Sequence, residues 1–253
     1  MSLSNVSIGD NGSIAAVICA AGSSTRMGGA KKEYLPLPGA SDSLTVLGAA
    51  VSAFAAVPEI RIIVIVVPKE PETGETAARN ALPPEIPGKT APTVRFVTGG
   101  STRRASVLNA LRVLAADAPN YALIHDGARP WISPALIERV IKGVKQYRAV
   151  IPLLPLTETP KETDLPLDGF VGCDSWGSVF IKRQLKRAFI GTAQTPQAFA
   201  FPEILVAHEK AAAQDGREFT DDAEVWAEFC GPVAVIPGEI SNRKITFKED
   251  MSC

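Results

Sequence analysis

The sequence predicts an α/β protein, a three-layer α/β/α arrangement in which a mostly parallel sheet is covered by helices on both faces. Three observations carry this. Strand-like and helix-like segments alternate along the chain. Four of the six strand candidates are nearly unbroken apolar runs, as strands buried on both faces require. A chain of 253 residues that is 46% hydrophobic can also bury one sizeable core, so a single domain spanning residues 1–253 is expected.

The strand candidates, in order, are Ile14–Cys19, Arg61–Val67, Val94–Thr98, Tyr121–His125, Ala149–Leu154 and Val233–Ile236. Between the first two, Leu44–Ala56 has helical character. Six prolines between Pro68 and Pro92 make that stretch mostly loop around a short helix near Thr76–Leu82. Arg103–Ala116 carries Val107, Leu108, Leu111 and Leu114 at helical spacing. Ser133-Pro134 opens a further helix with a capping hydroxyl and a proline at its first position. Thr220-Asp221-Asp222 opens another, with acids near the positive end of the helix dipole. From about residue 155 to 187 mixed charges, prolines and glycines interrupt the alternation, and only Ser178–Ile181 is strand-like. This stretch reads as an excursion from the sheet.

The formal net charge of -1 gives no general attraction for polyanions, so nucleic acid is not an expected partner and a bound nucleotide needs a local cluster of cations. The cysteines Cys19, Cys173, Cys230 and Cys253 lack metal-type spacing and suit a reduced compartment. The sequence contains no continuous apolar run of the roughly 18 to 20 residues that a membrane span needs. The polar start Ser2–Ser13 lacks the order of a secretory signal. A cytoplasmic protein with no membrane contact is the expectation.

In open parallel sheets ligands lie beyond the carboxyl ends of the strands. After the first strand, Ala20-Ala21-Gly22-Ser23-Ser24-Thr25-Arg26-Met27 forms a small-residue turn rich in backbone N–H groups, and Lys31-Lys32 follows. Such a turn can cradle phosphate. Its glycine spacing is that of neither a P-loop nor a dinucleotide fold, and the competing reading is a tight turn beside a solvated basic patch. After the third strand, Gly99-Gly100-Ser101-Thr102-Arg103-Arg104-Ala105-Ser106 leads into a helix; the glycines would admit a planar base, or the segment is simply a capped turn. After the fourth, Asp126 in His125-Asp126-Gly127-Ala128-Arg129-Pro130 stands where a carboxylate holds Mg²⁺ near a triphosphate, or where it pairs with Arg129. Ser241-Asn242-Arg243-Lys244-Ile245-Thr246 is a basic strand near the end of the chain. No Ser/His/Asp or Cys/His set is present, which leaves hydrolysis through an activated nucleophile without support.

Taken together these segments resemble the 2-C-methyl-D-erythritol 4-phosphate cytidylyltransferases of the non-mevalonate isoprenoid pathway, from about Ile14 to Asp250. The likeness continues through Lys32-Glu33-Tyr34-Leu35, Thr159-Pro160-Lys161, Thr195-Pro196-Gln197-Ala198-Phe199 and Thr220-Asp221-Asp222-Ala223. It implies a Rossmann-like nucleotidyltransferase fold and transfer of CMP from CTP to a polyol phosphate with Mg²⁺. It further implies a homodimer, in which the excursion is a protruding dimerisation arm that reaches the partner's active site. By position, Arg26 and Lys32 match the pair that steadies the transition state. Arg187 and Lys244 match the pair that holds the acceptor phosphate. Asp126, Arg129, Thr159 and Thr195 match acceptor or metal contacts, with Asp126 the metal ligand. Ala20, Ala21, Gly22, Gly100 and Ser106 match CTP-holding positions, and Ser101, also on the CTP side, stands where the family often has an acid. The arm between Thr159 and Arg187 is longer than usual for the family, and the sequence stops at Cys253, where the family usually adds a final helix.

The implied chemistry is physically coherent. Two unit negative charges about 4 Å apart repel by about 1 kcal/mol in water and several times more at low effective dielectric, so cations must offset the approach of two phosphates. A phosphate nucleophile needs no strong general base, and catalysis rests on positioning and preorganised positive charge. A ribitol 5-phosphate cytidylyltransferase would share these features, and a non-catalytic nucleotide-binding protein would keep the sheet without turnover.

Overall fold

A computed structural model of the chain describes residues 13–24, 27–41, 44–86, 91–167, 178–214 and 217–251. The strands are β1 (Ile14–Cys19), β2 (Ile60–Val67), β3 (Thr93–Thr98), β4 (Tyr121–Asp126), β5 (Ala149–Pro155), β6 (Lys161–Thr163), β7 (Ile181–Gln184), β8 (Gly191–Ala193), β9 (Gln197–Ala200) and β10 (Ala234–Pro237). The helices are α1 (Val46–Ala55), α2 (Glu75–Asn80), α3 (Arg103–Leu114), α4 (Pro134–Tyr147), α5 (Glu203–Ala212) and α6 (Asp222–Phe229).

The main sheet runs β10-β5-β9-β4-β1-β2-β3, with β8 also paired to β5. β1, β2, β3 and β4 are mutually parallel neighbours, as are β5 and β10. β9 is antiparallel to both β4 and β5. The chain first winds outward from β1 through β2 to β3, then returns to place β4 on the other side of β1. With right-handed crossovers this reversal places α3 on the face opposite α1. α1 adjoins α4, whereas α5 adjoins both α3 and α6. Ile14, Ile18, Ile63, Ile65, Leu123 and Ile124 are fully buried between these layers.

The six sheet strands expected form within a residue or two of their predicted bounds, whereas residues 241–246, expected as a basic strand, are irregular loop. Helices α3, α4 and α6 start where their signals lie: the side chains of Thr102, Ser133 and Asp221 each accept from a backbone N–H three residues on. The excursion contains an antiparallel β6–β7 ribbon rather than a strand at Ser178–Ile181. β9 and α5 have no counterpart in the sequence reading. The first is four residues long and opens on Gln197; the second follows Pro202 with no side-chain cap.

Among the described residues, no helix is long and apolar enough to cross a membrane. Cys19 and Cys230 are free thiols; Cys173 and Cys253 lie outside the described residues.

Candidate active site

Adjacent parallel strands β1 and β4 end together, with Cys19 in register with Asp126. A cavity of about 420 Å³ opens at these carboxyl ends, where the sheet changes winding direction. One wall is the turn after β1. Ala20 is buried behind it and its N–H donates to Val66 O at 2.9 Å. Ala21, Gly22, Ser23 and Ser24 face the cavity. The opposite wall is the glycine pair after β3. A Cβ at Gly99 would lie 2.6 Å from the Cβ of Ala21, and one at Gly100 would lie 2.5 Å from that of Ala105. Only glycine lets the two turns approach this closely. Ser106 Oγ accepts from Gly100 N–H at 3.0 Å, and Ser106, Ser101 and Thr102 complete this wall.

The two lysines that follow the first turn part company. Lys32, on a 3-10 turn over Lys32–Tyr34, lines the cavity together with Glu33. Lys31 does not: its Nζ donates to Gly22 O at 2.6 Å and pairs with Glu33 Oε2 at 3.1 Å. Burial lowers the Lys31 pKa, partly opposed by Glu33. Lys31 therefore braces the turn, and only Lys32 is presented to a ligand. Arg26 lies outside the described residues.

Asp126 is the electrostatic centre of the floor. Its Oδ2 is 2.7 Å from Lys244 Nζ and 3.9 Å from Arg129 Nε, and its Oδ1 is 3.5 Å from Arg103 Nε. Burial alone would raise its pKa, but Lys244, Arg103 and Arg129 outweigh burial and hold the carboxyl well below the usual range. Arg103 in turn donates to Asp222 Oδ2 at 2.8 Å. Burial likewise pushes Asp222 up, and Arg103 leads the interactions that bring it down to about 2. Both carboxylates are ionised at neutral pH. Cys19 also lines the cavity, and burial pushes its thiol up to about 12, so it offers no thiolate nucleophile.

Behind the floor, His125 is fully buried and its pKa falls to about 4, chiefly through desolvation. Its Nε2 faces Arg129 O at 3.3 Å and its Nδ1 faces Thr195 Oγ1 at 3.0 Å. A carbonyl can only accept, so Nε2 carries the proton and Thr195 donates to Nδ1. A free histidine binds a proton below about pH 6.5, whereas this one resists until about pH 4. Stability from its neutral burial is therefore complete above pH 6.5 and drains away as pH falls to 4, by about 3 kcal/mol in all. A His125→Gln protein should show a flatter stability profile between those pH values in denaturant titrations; an unchanged slope would assign the effect to another group.

Of the residues singled out in the sequence, Ala21, Gly22, Lys32, Gly100, Ser101, Ser106, Asp126 and Lys244 line one cavity. Ala20, Arg129 and Thr195 stand behind it; Arg129 Nη1 donates to Asn242 O at 2.7 Å, and Thr195 Oγ1 accepts from Asp126 N–H at 3.1 Å. Thr159 and Arg187 do not reach the cavity. Both are exposed on the excursion, where Arg187 donates to Thr157 O. Sequence reasoning did not single out Arg103 or Asp222 as site residues. The available signals were an arginine directly after a paired-glycine turn and a second acid beyond what a helix cap needs.

Among the described residues no group of three His, Cys, Asp or Glu side chains could cage a metal. The ionised carboxylate of Asp126 at the cavity floor could contribute a single ligand to a cation.

The sequence model of the family described as IspD, 2-C-methyl-D-erythritol 4-phosphate cytidylyltransferase, matches residues 14–253. A curated relative, "Bifunctional enzyme IspD/IspF" of Bradyrhizobium sp. (strain ORS 278), is 38% identical over 238 residues, covering 93% of this chain and 54% of that protein. The chain thus spans about half the length of the curated relatives it matches. Among solved structures, 4-diphosphocytidyl-2C-methyl-D-erythritol synthase of Anaerococcus prevotii DSM 20548 superposes with a TM-score of 0.76 at 29% identity, covering 96% of this chain and 94% of that one. The 2-C-methyl-D-erythritol 4-phosphate cytidylyltransferase of Thermus thermophilus does so with a TM-score of 0.65 at 28% identity, covering 95% and 96%.

Proposed function

Because this chain belongs to the 2-C-methyl-D-erythritol 4-phosphate cytidylyltransferase family, we propose that it transfers CMP from CTP to 2-C-methyl-D-erythritol 4-phosphate. An oxygen of the acceptor phosphate forms a bond to the α-phosphorus of CTP, the bond from that phosphorus to the bridging oxygen breaks, and pyrophosphate leaves. The observation that carries this reading is the convergence of Lys32, Arg103, Lys244 and Asp126 with two backbone turns around one cavity.

The turns after β1 and β3 receive the nucleotide, with N–H groups toward phosphate and the glycine wall toward the base. Lys32, which lines the cavity, faces the charge that grows on the α-phosphoryl oxygens and the departing pyrophosphate. Lys244 offsets the repulsion met by the incoming phosphate. The acceptor is already anionic, so no base is needed; neutral His125 and protonated Cys19 are consistent with that. Asp126 would hold Mg²⁺, which supplies neutralisation of the triphosphate when bound.

We further propose a cytoplasmic homodimer, each protomer one domain with an arm that delivers Thr159 and Arg187 to its partner's cavity. Two observations support it: neither residue reaches the cavity of its own chain, and the base of the arm exposes apolar side chains, with Phe189 86% and Val235 58% exposed. Free Cys19 and Cys230 suit a reducing compartment.

Pyrophosphate release from CTP and Mg²⁺ with each acceptor tests the assignment. Release with methylerythritol phosphate, and little with ribitol 5-phosphate, is expected. Equal or better turnover of ribitol 5-phosphate would change the acceptor, and CTP binding without release from any polyol phosphate would make the chain a nucleotide-binding protein.

A further inference from the structure

β8 and β9 run along the same edge of β5 and are separated by residues 194–196. This break carries two buried polar side chains, Gln194 at 4% and Thr195 at 5% exposure. Neither lines the cavity. Both side chains point instead at segments that hold the floor of the site.

The Gln194 amide is spent almost entirely on one loop. Its Nε2 donates to Glu239 O at 2.8 Å and to Asn242 O at 3.0 Å, and its Oε1 accepts from Glu239 N–H at 3.0 Å. The loop lies flat on the amide, since a Cβ at Gly238 would be 2.5 Å from Gln194 Oε1. Fully buried Asn242 returns the contact by donating its Nδ2 to Thr195 O at 2.8 Å. Two residues beyond Asn242 is Lys244, whose ammonium is 2.7 Å from Asp126 Oδ2. The backbone N–H of Asp126 is itself held by Thr195 Oγ1. Two consecutive residues thus anchor both halves of the Lys244–Asp126 pair, one through each neighbouring segment.

We propose that Gln194 is a positioning residue: its buried amide clasps residues 238–242 and so sets where the Lys244 ammonium stands over Asp126. Its catalytic consequence rests on the CMP-transfer reading above, because Lys244 is the cation assigned to the incoming phosphate. Misplacement of a reacting group by about 1 Å costs on the order of 100-fold in rate, and a loop that carries a lysine on a flexible stem needs a fixed root to avoid that loss. An amide suits this role, since it offers two donors and an acceptor to a backbone that presents both kinds of group.

The test uses the full chain and two readouts. The first needs no substrate: acylation of each lysine by acetic anhydride, resolved by mass spectrometry. In Gln194→Met, Lys244 should be labelled several-fold faster while exposed Lys145 is unchanged. The second is CMP transfer, where Gln194→Met should lower kcat/KM by about 10- to 100-fold, and this loss should vanish when Lys244→Met is already present. Gly238→Ala, which pushes the loop off the amide without altering the buried strand break, should reproduce both effects and replaces Gln194→Met if that protein does not fold. Unchanged Lys244 labelling in a folded variant overturns the proposal, as does an equal activity loss in the Lys244→Met background. A wild-type protein that transfers no CMP would sink the assigned reaction alone, leaving the labelling to decide the clasp.

Discussion

A Lys32→Ala protein is expected to turn over about 100- to 1000-fold more slowly, with CTP affinity changed by less than about 10-fold. Lys32 is 9% exposed on a short 3-10 turn and lines the cavity, so its charge is preorganised before any ligand arrives. In the proposed reaction the ground-state triphosphate would be met by backbone N–H groups of two turns and by several cations, and would lose little when one is removed. The transition state places new charge at the α-phosphoryl group and the leaving oxygen, where a fixed cation counts most. Measuring kcat and the CTP dissociation constant separately decides: a change confined to binding contradicts this role. The same variant tests the dimer. If arms cross, a dimer of one Lys32→Ala and one Arg187→Ala chain keeps one intact site, and random mixing should restore about a quarter of wild-type activity. No recovery in confirmed mixed dimers would count against the exchanged arm.

The second large effect concerns stability. Asp222→Ala is expected to destabilise the fold by about 3 kcal/mol, near the lower end for a broken buried ion pair because Arg103 retains some solvent contact. Asp222 is 1% exposed and faces Arg103 Nη2 at 2.8 Å and His208 Nε2 at 3.3 Å. Removing it leaves the Arg103 guanidinium, among the described residues, with only its longer 3.5 Å contact to Asp126 Oδ1. The melting temperature should fall by roughly 6 to 12 °C for a chain of this size. In an Arg103→Met background the same substitution should cost much less, since the charge that loses its nearest partner is already gone. Equal cost in both backgrounds would place the loss in packing around α6 instead.

How much of this was legible beforehand follows from the length scale of each signal. Apolar runs such as Ile14–Cys19 and Ile60–Val67 announce buried parallel strands because both their faces are covered. Cap residues Thr102, Ser133 and Asp221 announce helix starts because the bond they make is three residues long. β9 carries no such signal: Gln197-Ala198-Phe199-Ala200 becomes the antiparallel member of the sheet because β4 and β5 leave a slot for it. Lys31 and Lys32 read alike in a string of letters. The turn separates them, sending one to Gly22 O and the other to the cavity.

The order of motifs along the chain was sufficient to identify the family, and the apolar runs to identify the parallel strands, since each signal is local and depends on neighbours within a few residues. The composition of the floor was decided only by tertiary structure. Lys244 meets Asp126 across 118 residues, and Arg103 meets Asp222 across 119. Such pairs have no sequence signature, because the cost of desolvating a charge, and the partner that offsets it, exist only once strand register and helix packing have closed the space around them.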